Sequence, residues 1–589
     1  MAHFAPVVDA FLAEYFELNP TAATAAGQHA YDDRWPDLTA TGRARRREFR
    51  ERWLGRLRAL DDLDVDEAVD RDLLVLELES QDFAETELRD DAWDPLWWVY
   101  LFGGGLFDLV SRTFAPAPAR MTSLAGRLDG MSALVEASEA ALVGHAGRPV
   151  GRFQTEKALE QLPGVVALAD EALAESARAA AGDPDLAALM PGLQSAVESA
   201  RGAMGRFEAH LRDRVLPGSD GEGRIGPELF ATKLHHALRV NGMSPERVLE
   251  RAEAEFAAVR AEMIRLAREL WPTWCPGRPM PTDEGEVVRA VLDAIAVEHP
   301  SPEELLDFCR AEVRRIEAFC RERDLIDLPD DPLEITWTPV FLRSSGGAMV
   351  IPPGPLDRGE KAFFAITPIP DDWPPERRES YLREENTRML RLTTIHEAVP
   401  GHYLQIVEGN RSSSLPRAVF YSGVYVEGWA VYVTQVMVDL GYGDREGALL
   451  LNHWKLYLRS ATNAIIDVRI HTAGMTEQEA VGLMVEGGFQ EEAEARAKYD
   501  RARLSSTQLS TYFVGSAEMW DIELEARRRA AAAVGANVTI EPGPLPGGLG
   551  ETPGFRYRDH LTRVVRQGSP PTSLLRRLVF GEALGPTAG

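Results

Sequence analysis

The chain has 589 residues, 45% hydrophobic and 26% charged, an ordinary globular composition that excludes wholesale disorder, collagen and coiled-coil fibres. Its 92 acidic against 64 basic side chains give a formal net charge of −28, which repels a phosphate backbone and an anionic membrane surface, so neither nucleic acid nor membrane is an expected partner. The three cysteines, Cys275, Cys309 and Cys320, form no C-x-x-C pair, which argues against a disulfide framework or a cysteine–zinc site and suits a reducing cytoplasm.

The N-terminal stretch MAHFAPVVDAFLAEYFELNP has no basic region ahead of its apolar residues, and Asp9 and Glu14 interrupt them, so no signal peptide is expected. No apolar run is long enough to predict a transmembrane helix. The first 330 or so residues read as helices. Stretches such as VVALADEALAESARAAA and SAVESARGAMGRFEAHLRDRVL are rich in Ala, Leu, Glu and Arg, with apolar positions recurring at three and four residues. Ser244 with Pro245, and Ser301 with Pro302, read as helix openings. The Gly-rich stretch GSDGEGRIGPE (218–228) is the best linker candidate, dividing a helical N-terminal lobe (1–217) from a catalytic lobe (218–589).

Residues 333–369 break the helical pattern. ITWTPVF, AMVI and AFFAI are β-type runs between Gly and Pro turns and predict two or three strands in a small antiparallel sheet. Helical patterns resume from about Glu376 to Val534, and two last helices follow a Gly/Pro loop at 541–554.

The chemistry lies in LRLTTIHEAVPGHYLQ, residues 390–405. A His-Glu pair on a helix with a second His further on is zincin logic: two imidazoles hold Zn²⁺ and the adjacent Glu acts on its water. His396 and His402 are six residues apart, which at about 100° per residue leaves them about 240° apart around an ideal helix. Pro400 removes an N–H and clashes with the preceding turn, and Gly401 adds backbone freedom. A widened turn or bulge at 399–401 would bring His402 back to the face of His396. Glu427, in the apolar helical run VFYSGVYVEGWAVYVTQVMV, is a buried-context carboxylate that needs a partner, and a metal is one. His396, His402 and Glu427 would then be the ligands of one zinc, with Glu397 as general base.

Further along, Asp467 and His471 share a helix face and, with Arg469, are candidates for a shell that orients ligands. DRARLSSTQLSTYFVG holds Arg501 and Tyr512, and a Tyr hydroxyl suits donation to an oxyanion. His471 and Arg501 are the weaker candidates for the same polar ring. His235 and His236 are adjacent on a helix and face different sides, and the glycine-rich stretches lack phosphate-loop or dinucleotide spacing.

TTIHEAVPGHYLQ resembles the H-E-x-x-P-G-H-H-x-Q signature of the bacterial family called domain of unknown function 885, and EGWAVY resembles its E-G-W-A-x-Y. The Asp467–His471 stretch is similar to its D-x-x-x-H-T helix, and RARLSSTQLSTYFVG to its R-Y-x-x-x-P-G-Q-A-L-S-Y-x-x-G, a register that puts Arg501, Gln508, Tyr512 and Gly515 on pattern positions. Tyr403 stands for the second of two adjacent histidines, Ala502 for a Tyr, and Ser506 and Thr507 for Pro-Gly. The resemblance implies a mainly α, two-lobed zinc metallopeptidase-like protein with its small sheet beside a central metal cleft, distantly similar to helical gluzincin oligopeptidases. A peptide or small amide substrate is then expected, with Glu397, Tyr512, His471 and Arg501 around it. Two His and one carboxylate also make the triad of non-haem Fe(II) enzymes, and a protein that binds metal or peptide without turnover is the remaining alternative.

Overall fold

The computed structural model describes residues 4–338, 347–357, 359–370, 372–541 and 543–581. The fold is mainly helical, with one three-stranded sheet among the described residues. No described helix is long and apolar enough to cross a membrane.

The chain divides into two compact units. One comprises residues 1–224 with 353–360, the other residues 225–352 with 361–589. The first is built from long helices, among them Ala117–Ala141, Arg152–Ala179 and Pro184–His210. Their starts follow local chemistry: Asp64 and Glu67 form a reciprocal capping box ahead of Val65–Phe83, and Asp183 accepts from the N–H groups of Asp185 and Leu186. Residues 353–360 join this unit through Leu356 N–H, which donates to Ala26 O at 2.9 Å, and through the His29 Nε2–Asp357 Oδ1 contact, also 2.9 Å.

The second unit carries the predicted site. Ser244 caps Pro245–Trp274 as expected, accepting from Arg247 N–H, while Ser301 opens a 3₁₀ turn before Leu305–Glu322. The strands are β1 (Leu333–Trp337), β2 (Ala348–Ile351) and β3 (Ala362–Ile366). The sheet is mixed, which corrects the antiparallel expectation: the order is β1-β3-β2, with β3 parallel to β1 and antiparallel to β2. Parallel neighbours need a crossover, and here β2 is that excursion, returning to the far side of β3. The end of the first predicted strand, residues 339–341, lies outside the described residues. Ile335, Phe364 and Ile366 anchor the sheet against Leu305, Cys309 and Val313 of the Leu305–Glu322 helix.

Candidate metal centre

The HEAVPGH stretch is two helices with a sharp break between them, a correction to the widened turn expected from the spacing. The His396 helix is Thr387–Glu397 and the His402 helix is His402–Asn410. Asn386 starts the first by accepting from the N–H groups of Arg388 and Met389. Ala398 leaves helical geometry at φ −95°, ψ −98°, and Gly401 turns the chain at φ −73°, ψ −137°. The chain doubles back so tightly that a Cβ on Gly401 would lie 1.9 Å from the His396 carbonyl oxygen. Only glycine fits there. Trp429 Nε1 donates to the Pro400 carbonyl at 2.8 Å and ties the break to the Glu427 helix, Gly423–Asp439.

The break brings the imidazoles together, with ring centroids 4.7 Å apart and planes at 82°. One ligand atom each from His396, Glu397 and His402 lie within 4.8 Å of one another. Glu427 Oε2 lies 3.9 Å from His396 Nε2 and 3.5 Å from His402 Nε2. That oxygen is buried and has no hydrogen-bond partner. A buried carboxylate oxygen without a donor costs free energy unless a cation meets it. Two imidazole nitrogens and this oxygen, converging on one point, are the donor set of a divalent transition metal, so the residues present fit zinc.

His402 has a support behind it. His402 Nδ1 faces Gln405 Oε1 at 3.5 Å, and Gln405 Nε2 lies 3.4 Å from the Tyr425 carbonyl. This orientation turns His402 Nε2 toward Glu427. A glutamine or carboxylate behind a ligating imidazole fixes its tautomer and basicity. Glu397 is 9% exposed, and the Val350 N–H of β2 donates to its carboxylate.

The electrostatics separate these groups. Burial pushes His396 down to about 3, helped by neighbouring His402 and opposed by Glu427. Burial pulls His402 down too, but the Glu427 and Glu397 carboxylates outweigh it and raise it to about 9. Burial would raise Glu427, yet the two imidazoles and the Tyr512 hydroxyl hold it below its usual value. Glu397 rises to about 7, chiefly by burial and further by Glu427.

Tyr512 and Arg501 also reach this group. The Tyr512 helix, Ser510–Ala533, crosses the Glu427 helix, and the Tyr512 hydroxyl bonds the Glu427 carboxylate. Arg501 Nη2 points at the Tyr512 oxygen at 3.3 Å and Gln508 Nε2 at 3.4 Å. Both are donors, so the hydroxyl hydrogen is left to serve an acceptor. Burial and Glu427 raise the phenol's pKa, which keeps it protonated.

His471, the other candidate for the polar ring, turns both ring nitrogens to main chain. Its Nε2 bonds the Ala502 carbonyl at 3.0 Å, its Nδ1 accepts from Ile225 N–H at 3.3 Å, and its ring stacks on Phe230. Both nitrogens are committed to main chain. Asp467, its neighbour one turn back, accepts from Thr507 N–H at 2.9 Å, Ser510 N–H at 3.0 Å and Ser510 Oγ at 2.7 Å. These residues fix the turn that presents Gln508 and Tyr512. Gln405 and Gln508 were visible as letters of the resemblance, but nothing in their spacing assigned them a task.

Comparisons with known proteins agree on the fold. The described structure of a "putative lipoprotein of unknown function" from Shewanella oneidensis is 28% identical, with a TM-score of 0.79 over 98% of this chain and 100% of its own. A "putative lipoprotein" from Colwellia psychrerythraea shares the fold at a TM-score of 0.75 and 16% identity, over 96% of each chain. No curated protein matches the chain. The family model described as "Bacterial protein of unknown function (DUF885)" matches residues 20–579, and the chain belongs to that family.

Proposed function

We propose that this protein is a zinc-dependent hydrolase of amide bonds, most simply of peptides. One observation carries the reading: the buried Glu427 Oε2 has no hydrogen-bond donor, while two imidazole Nε2 atoms stand 3.9 and 3.5 Å from it. His396, His402 and Glu427 would hold the ion, which when bound supplies Lewis acidity toward the amide carbonyl and its attacking water.

The other residues divide the proton work. The Glu397 carboxylate follows a ligand directly and, at about 7, is matched to taking a proton from the attacking water near neutral pH. It then returns that proton to the amide nitrogen as the C–N bond breaks. Tyr512 Oη keeps its hydrogen and donates it to the developing oxyanion, with Arg501 and Gln508 fixing the oxygen. The Val350 N–H on Glu397 puts β2 beside the base, which supports the sheet as one wall of a cleft, where a strand edge pairs with an extended substrate.

A peptide-library digest read by mass spectrometry, run beside Glu397→Gln, tests this reading. Cleavage by the wild type, lost in a variant that keeps its metal, is expected. Identical digests from the two proteins would overturn it. Metal analysis after purification without added metal separates zinc from an Fe(II) enzyme.

We also infer a reducing compartment, because Cys275, Cys309 and Cys320 are all unpaired thiols. The two structural neighbours carry the word lipoprotein in their descriptions. Cell fractionation decides: recovery with the cytosol is expected, and recovery with membranes would overturn the cytoplasmic reading.

A further inference from the structure

We infer that Arg501 receives a free carboxylate of the substrate, so that the site cleaves an amide one residue from a carboxyl terminus. The assignment rests on the amide-hydrolase reading above and names its substrate class.

The first argument is pairing. Arg501 lies on the Glu492–Ser505 helix and is exposed. Its Nη2 donates to two neutral oxygens, Gln508 Oε1 at 2.9 Å and Tyr512 Oη at 3.3 Å. Among the described residues no carboxylate pairs with it. Its neighbours on the same helix behave otherwise: Arg496 pairs with Glu477 and Glu492, and Arg503 with Asp500 at 2.6 Å. In a chain of net charge −28, an exposed guanidinium left to amide and phenol oxygens is a cation reserved for something else. The planar fork matches a carboxylate in a bidentate geometry that neither present partner uses.

The second argument is a second cation. Lys498 sits three residues back on the same helix face, with a side chain only 13% exposed. Its ion-pair contact with Glu494 Oε1 is loose, at 3.9 Å. Burial first, then the charges of Arg459 and Arg501, bring it down to about 8 against the opposing pull of Glu494 and Glu384, so Arg501 adds a repulsive share at Lys498. An anion arriving at Arg501 relieves that repulsion, whereas a neutral main-chain amide does not.

The third argument is span. Arg501 is one hydrogen bond from Tyr512, and Tyr512 is one from the Glu427 carboxylate. With Tyr512 on the oxyanion, Arg501 stands about one residue further along the substrate, where consecutive Cα atoms are about 3.8 Å apart. A terminal carboxylate at that step lies on the leaving-group side. An internal peptide would put an uncharged amide there and leave the guanidinium unmatched.

The test uses the full chain as the zinc-loaded Glu397→Gln protein, which removes turnover from the measurement. Calorimetry compares acetyl-Ala-Phe with its C-terminal amide, and the wild type is assayed on the same pair. The free acid should bind about 100-fold tighter than the amide, the scale of losing one partner of a close charge pair. Arg501→Ala should erase that difference by weakening the acid alone, and in the active protein should raise KM for the acid while leaving KM for the amide. Arg501→Lys should restore part of the preference. Equal binding of acid and amide overturns the assignment, as does an Arg501→Ala protein that lowers kcat for both substrates while leaving the ratio of their KM values unchanged, since that is the signature of orienting Tyr512 only. Internal cleavage of long peptides without acid preference also overturns it and leaves amide hydrolysis standing. Failure of the wild type to cleave, and of Glu397→Gln to bind, any peptide removes the amide-hydrolase reading itself.

Discussion

Gly428 and Gly515 meet backbone to backbone. A Cβ on Gly428 would lie 2.2 Å from the Gly515 carbonyl carbon, and one on Gly515 would lie 2.1 Å from the Val424 carbonyl oxygen. Two helices thereby approach as closely as helices do, and the residues flanking the contact, Glu427 and Tyr512, come within bonding distance. Gly428→Ala or Gly515→Ala should therefore cost about 3 kcal/mol, the upper end for overpacking a filled contact. Denaturant unfolding measures it. An alanine variant as stable as the wild type would mean that the helices separate freely.

Gln405 stands behind His402, and its loss should be felt at the metal. Gln405→Leu should weaken zinc affinity about 10- to 100-fold, the range for removing the group behind a ligating imidazole. Competition with a chromophoric chelator reads it directly. Unchanged affinity would leave Gln405 as a packing residue.

Zinc and a proton compete for His402. Its raised value, about 9, keeps it protonated at neutral pH, and a metal needs the neutral ring. Binding should expel about one proton at pH 7. Apparent affinity should rise about tenfold per pH unit and flatten above about 9. Calorimetry in buffers of different ionisation enthalpy counts the proton. No proton release at pH 7 would mean that His402 is already neutral.

Thr507 holds φ +73°, in the left-handed region, while its N–H donates to Asp467. A β-branched residue there costs about 1–2 kcal/mol, and a glycine's extra freedom in the unfolded chain returns part of that. Thr507→Gly should stabilise by about 0.5–1 kcal/mol with turnover kept. The resemblance carries glycine at this position, and the backbone supplies the reason.

The clustering of His396, His402 and Glu427 could be read in the sequence because its signals are local or compositional. Pro400 and Gly401 announced a helix that had to break, and Glu427 stood out as a carboxylate in an apolar run. The kind of break was misjudged. Periodicity measures the angle of an unbroken helix and is blind to a chain that stops, turns through Gly401 and starts again. Strand pairing was hidden for a similar reason: the runs at 333–366 mark strands, but nothing in them says that β3 lies between β1 and β2. The contacts of His471 are hidden in the sequence because its partners, Ile225 and Ala502, are main-chain groups 246 and 31 residues away. A helix-face pair in a sequence shows which side chains neighbour one another and not which distant backbone claims them.

The most direct test is an anomalous difference map, collected at the zinc edge, from crystals of the protein purified without added metal and then given one equivalent of zinc. One peak is predicted, bonded to His396 Nε2, His402 Nε2 and a Glu427 carboxylate oxygen at about 2.0–2.2 Å. A map with no peak between these three residues, or with zinc bound elsewhere and the Glu427 oxygen left unmatched, would contradict the account.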